Sequence, residues 1–137
     1  MWGGLRELRV QWTWRFWGCP RVNKFHWFTD EEIAGLQEDT PAKLDAAREY
    51  AGVPFRLTST TGGQHAPNSA HYKGLAVDIG LGHLEEGVER DKHRFLIVKG
   101  LILAGFERIE VCPLHVHADR GQAPEYVTPW MMLGKDS

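Results

Sequence analysis

The sequence predicts a single α+β domain, and three observations carry that reading. The chain has 137 residues, enough for one domain with one hydrophobic core. Segments 40–51 and 89–104 place apolar residues at helical spacing and end in glycine. Segments 55–60, 75–79, 106–111 and 114–118 read as short strands, the last two flanking Pro113 as a hairpin. No internal repeat or low-complexity tract divides the chain.

Taken in order, Glu7 to Phe16 alternates strictly. Leu8, Val10, Trp12, Trp14 and Phe16 share one side, which predicts a half-buried strand. A surface-binding Trp/Arg stripe is the functional alternative. Five of the six Trp residues lie in the first 27 positions, so residues 1–27 are read as a Trp-rich strand segment ahead of a domain over 28–137. Gly18-Cys19-Pro20 breaks that strand.

Thr29-Asp30-Glu31-Glu32 has capping-box form and predicts a short helix from Asp30 to about Gln37. Thr40-Pro41 opens the next helix, with Pro at the first helical position. Leu44, Ala47 and Tyr50/Ala51 form its apolar face, and Gly52 and Pro54 stop it. Phe55 to Thr60 follows as a strand. Residues 61–74 form a loop rich in Gly, His, Asn and Ser, and a loop of that length in a small domain is usually functional. Leu75 to Ile79 is a strand and residues 80–87 a loop. Glu89 to Ala104 is the strongest helix, with Phe95, Val98, Leu101 and Ile102 on one face and Gly105 as its stop. Beyond Gly121 no element is defined, although Tyr126, Trp130 and Met131 are expected to dock on the core.

Composition excludes several function classes. A net charge of -2 gives no electrostatic case for nucleic acid or an anionic membrane as partner. No segment approaches ~20 uninterrupted apolar residues, so no membrane span is expected. Arg6, Glu7, Arg9 and Arg15 interrupt the N-terminal apolar residues, so no signal peptide is expected and synthesis should be cytoplasmic. Cys19 and Cys112 make neither a disulfide framework nor a CxxC knuckle and are read as reduced thiols. Cys112, near a His pair, is also a candidate thiolate ligand. A monomer is expected.

The chemistry concentrates in two short stretches. His71, Asp78 and His117 offer two imidazoles and a carboxylate, and three N/O ligands with an open fourth position are what a catalytic Zn²⁺ requires. On the strand 75–79, Leu75, Val77 and Ile79 face the core, which turns Asp78 to the other side beside the small Ala76. His115 and His117 share a face because they stand two apart, while Leu114, Val116 and Ala118 take the buried one. One sheet face could therefore collect Asp78, His115 and His117, with His71 closing from the loop through a turn at Lys73-Gly74. A single strand His is more often an ordinary satisfied residue. The combination is what points to a metal site on that sheet face.

These residues also carry a family resemblance. Ser69-x-His71-x-x-Gly74-x-Ala76-x-Asp78 resembles the SxHxxGxAxD signature of the M15-type zinc peptidases. That group includes D-Ala-D-Ala carboxypeptidases, phage L-alanyl-D-glutamate endolysins and the related hedgehog signalling domain. His115-Val116-His117 is similar to the HxH that follows in several members. The resemblance spans roughly residues 28–120. It implies an α+β fold whose antiparallel sheet is flanked by helices, with one zinc held by His71, Asp78 and His117. It also implies hydrolysis of a peptide bond in peptidoglycan stem peptides, as a carboxypeptidase or an endopeptidase. A phage-encoded lysin released to the cell wall would fit the missing signal peptide.

A general base near the last ligand completes that chemistry. Glu110 is the first candidate, His115 the second, and Asp119 the third, the last with an alternative role in orienting a ligand imidazole. One departure bears on the substrate. Many members carry an Arg after the strand that precedes the motif, where it grips a substrate carboxylate. Here the run is Thr60-Thr61-Gly62-Gly63-Gln64-His65, which shifts the expectation toward an endopeptidase. Ser69, Gln64, His65 and Lys73 are the candidate substrate contacts. A non-catalytic metal-binding interaction module of the same fold is the competing reading.

Overall fold

Thr40 and Pro41 begin α1 (Thr40–Ala51), where the missing proline N–H sacrifices no helical bond. In this computed structural model, residues 24–37, 39–60, 71, 73–120 and 130–136 are described. The predicted strand at 7–16 and the candidates Gln64, His65, Ser69 and Tyr126 lie outside them. Gly52, at φ 73°, ends α1 by donating its N–H to the Arg48 carbonyl. Leu44, Ala47 and Ala51 are buried, and Tyr50 is exposed.

The second helix, α2 (Val88–Ala104), starts with Glu89 and Asp91 in its first turn, where negative charge suits the helix dipole, and stops at Gly105, at φ 93°. Its buried face is Ile97, Gly100 and Leu101, whereas Phe95 and Ile102 are exposed. The sequence-based face was therefore rotated by about one residue. Gly100 supplies the reason: a Cβ there would run into the Ala47 carbonyl, so this glycine marks where α1 and α2 cross closely. The crossing, rather than the largest side chains, selects the buried face.

Five strands form one sheet in the order β1-β2-β4-β3-β5. They are β1 (Leu57–Ser59), β2 (Ala76–Gly80), β3 (Arg108–Val111), β4 (His115–Asp119) and β5 (Trp130–Leu133). The β1–β2, β2–β4 and β3–β4 pairs are antiparallel, as expected, and the hairpin turns at Cys112-Pro113-Leu114. The fifth strand pairs parallel to β3, which makes the sheet mixed. It was not expected, because Trp130-Met131-Met132-Leu133 is a short apolar run without alternation. Met131 and Leu133 are exposed.

Val77 and Ile79 of β2, Val116 and Ala118 of β4 and Ile109 of β3 are buried in one cluster with Leu44, Ala47, Ile97 and Leu101 of the helices. Strand side chains alternate, so this packing turns Asp78, Glu110, His115 and His117 to the opposite face.

The predicted helix over 30–37 is instead a series of turns. The capping box does form: Thr29 Oγ1 accepts from the Glu32 N–H, and Glu32 Oε2 accepts from the Thr29 N–H, both at 3.2 Å. Gly35, at φ 88°, then turns the chain before a second helical turn can follow. Phe28, Ile33 and Leu36 are buried from this segment. Trp27, the one tryptophan of the N-terminal stretch among the described residues, lies under the Arg48 guanidinium at 3.9 Å.

Candidate metal centre

Asp78 on β2 stands directly opposite His117 on β4, which in turn stands opposite Glu110 on β3. Directly paired residues share a face, so three candidate site side chains line up across three strands. His71 enters from the segment before β2 and is 2% exposed. Gly74 makes that entry possible. Its φ of 72° is accessible to few other residues, its N–H donates to the His71 carbonyl at 3.0 Å, and its own carbonyl accepts from the Gln37 N–H at 2.8 Å. A Cβ there would collide with the Gly35 carbonyl. The turn carrying His71 is thus pinned to the turn at 35–37.

Three atoms converge. His71 Nε2 lies 3.1 Å from His117 Nδ1 and 3.4 Å from Asp78 Oδ1. His117 Nδ1 lies 2.9 Å from Asp78 Oδ1. Bonds of ~2.1 Å to one tetrahedral ion place its ligand atoms roughly 3.4 Å apart, so these separations suit a common ion with slight expansion.

The tautomers point the same way. His71 Nδ1 lies 2.6 Å from the Thr60 carbonyl, which can only accept, so Nδ1 carries a proton and Nε2 of the neutral ring keeps its lone pair. His117 Nε2 donates to Asp119 Oδ2 at 2.9 Å. Neutral His117 therefore presents a lone pair at Nδ1. Two imidazole lone pairs and a carboxylate oxygen then face one point, an arrangement that only a proton or a cation between them stabilises.

Asp119 is 2% exposed and held by Arg108, whose Nε and Nη2 donate to its two oxygens at 2.6 and 2.8 Å. This guanidinium–carboxylate–imidazole chain fixes the plane of the His117 ring. Such outer partners set ligand orientation in metal sites. Burial by itself pushes the His117 imidazole down, but hydrogen bonds to Asp119 and Asp78, and their charges, outweigh it and push it up to about 9. Burial pushes the Asp78 carboxyl up, yet the hydrogen bonds and charges of His117 and His71 hold it well below the usual carboxylate range.

The other predicted site residues separate into groups. Glu110 shares the face with His117, and its Oε1 accepts from Cys112 Sγ at 3.6 Å. His115 shares the face but stands outside the three-atom cluster, with Nδ1 2.8 Å from Asp136 Oδ1. Lys73 is exposed. Arg108 and Asp136 were not foreseen. Arg108 was legible in the hairpin register, because a turn centred on Pro113 that pairs Glu110 with His117 must also pair Arg108 with Asp119. Asp136 carried no comparable signal.

No protein-family model, curated protein or solved structure matches this chain. Among the described residues, no helix is long and apolar enough to cross a membrane.

Proposed function

We propose that this chain is a zinc-dependent peptidase that hydrolyses a peptide bond in peptidoglycan stem peptides, with His71, Asp78 and His117 as the metal ligands. The observation that carries the reading is the convergence of His71 Nε2, Asp78 Oδ1 and His117 Nδ1, with Glu110 paired beside His117. Two imidazoles and a carboxylate suit zinc in donor chemistry. Zinc held there would act as a Lewis acid on the scissile carbonyl and make water acidic enough to attack near neutral pH. Glu110 takes the proton from the attacking water and delivers it to the leaving amine. His115, whose Nδ1 pairs with Asp136, presents the lone pair of its other ring nitrogen and is the second candidate for the base. Asp119 and Arg108 act through His117 as positioning residues.

The absence of Arg from Thr60 to His65 favours cleavage inside the stem peptide over release of a terminal residue, since a free carboxylate is best held by a bidentate Arg. The test is incubation of zinc-loaded protein with purified peptidoglycan and mass analysis of the released peptides. Paired new amine and carboxyl ends are expected, and they disappear in His117→Ala. Intact stem peptides after exposure to folded, metal-loaded protein would overturn the proposal.

One observation favours a second reading, a metal-binding interaction module without hydrolysis. The Glu110 carboxylate contacts the Cys112 thiol, and that contact competes with service as a base. Under this reading Glu110→Gln leaves every activity of the chain unchanged.

A further inference from the structure

We propose that Cys112, His115 and Asp136 form a second cation site, separate from the His71–Asp78–His117 centre, that takes a thiophilic divalent transition metal of the zinc and cobalt class. One ligand atom from each of the three lies within 4.8 Å of the others. Side chains two apart on a strand stand about 7 Å apart. His115 clusters with Cys112 and Asp136 while His117 clusters with His71 and Asp78, so the two histidines serve two sites.

The cluster is built by local structure. The Cys112 N–H donates to the His115 carbonyl at 2.9 Å, closing the tight turn between β3 and β4. Arg94 of α2 donates to the Cys112 carbonyl at 3.4 Å and to the Pro113 carbonyl at 2.6 Å, anchoring that turn. Two potential ligands three residues apart on an anchored turn are well placed to reach a single ion. Asp136 arrives with the segment after β5, where the Gly134 N–H donates to the Val111 carbonyl at 2.9 Å. Its carboxylate accepts from the Leu114 N–H at 2.9 Å and pairs with His115 Nδ1 at 2.8 Å.

The surroundings of the sulfur are the second observation. A buried cysteine ordinarily packs as a small apolar side chain. Cys112 is 1% exposed, yet Glu110 Oε1 lies 3.6 Å from its Sγ, and the Asp136 carboxylate is a member of the same cluster. A thiol, an imidazole and a carboxylate form a donor set that sulfur directs to zinc or cobalt and away from magnesium or calcium. On binding, the thiol proton leaves to solvent and the His115 proton shifts to Nε2, freeing Sγ and Nδ1 as donors. The inference does not depend on the peptidase reading.

The test is titration of the metal-free full chain with Co²⁺, read by near-ultraviolet thiolate-to-cobalt charge transfer and by elemental stoichiometry. Wild type is expected to bind two equivalents and show the band. Cys112→Ser should lose the band and one equivalent, and Asp136→Asn should weaken that equivalent at least tenfold while leaving the buried sulfur in place. His117→Ala and Cys19→Ser should each keep the band. No band in folded wild type, a band that survives Cys112→Ser, or a band that disappears with Cys19→Ser would each overturn the proposal.

Discussion

Asp119 holds His117 in place: its Oδ2 accepts from His117 Nε2 at 2.9 Å while Arg108 grips both of its oxygens. A ring held at one nitrogen presents the other at a fixed angle. Asp119→Asn keeps the shape but removes the charge that makes His117 a strong donor. The expected result is metal affinity lower by about 10–100-fold with the fold retained. Chelator competition on the folded variant measures it, and an unchanged affinity would show that Asp119 serves only Arg108.

The pH dependence follows from His117 and Asp78. In the metal-free fold His117 is raised to about 9, above its unfolded value of ~6.5. Its contribution to stability is therefore complete below ~6.5 and lost as pH rises through about 9, with a slope of up to about 1.4 kcal/mol per pH unit. Asp78 is depressed, so its contribution is present above its unfolded value of ~3.9 and lost in acid. Metal needs the His117 Nδ1 lone pair and must displace the proton there. Apparent affinity should consequently rise about tenfold per pH unit between ~6.5 and 9 and then level off. Melting curves with and without zinc across that range should diverge, the metal-free chain losing stability while the loaded chain does not.

The elements that follow a simple period were legible in the sequence. Leu75-Ala76-Val77-Asp78-Ile79 alternates, so the face of Asp78 could be read directly, and the same holds for His115 and His117, although Leu114, expected on the buried face beside Val116 and Ala118, is exposed at the turn. Gly74 was legible as a turn, although its contact with Gly35 was not, because a close approach between distant segments leaves no periodic trace. Residues 30–37 misled because the capping box is local and real, whereas helix propagation failed at Gly35. The fifth strand and Asp136 escaped notice because pairing partners, not local pattern, define them.

Glu110→Gln separates catalysis from metal binding. The amide is nearly isosteric and stands outside the three-atom cluster, so metal content should be unchanged. As the proposed general base, its loss should lower peptide hydrolysis by roughly 10²–10⁴-fold. Zinc content measured beside digestion of stem peptides checks both halves. Undiminished hydrolysis would move the base to another group, with His115 next in line.

Gly74 and Gly52 give a paired test of how His71 is positioned. Both have φ near 73°, at 72° and 73°, so alanine at either meets similar backbone strain of about 1–2 kcal/mol. Gly52 has nothing within 4 Å of a built Cβ, whereas Gly74 faces the Gly35 carbonyl and the Gln37 backbone. Gly52→Ala should therefore lower the melting temperature modestly and leave metal affinity alone. Gly74→Ala should destabilise the chain further, because the 35–37 turn must give way, and should weaken metal binding because the displaced turn carries His71. The difference between the two variants isolates the close approach from the strain. Equal losses in stability with metal affinity unchanged in both would mean that His71 is held by its Thr60 hydrogen bond and not by the glycine turn.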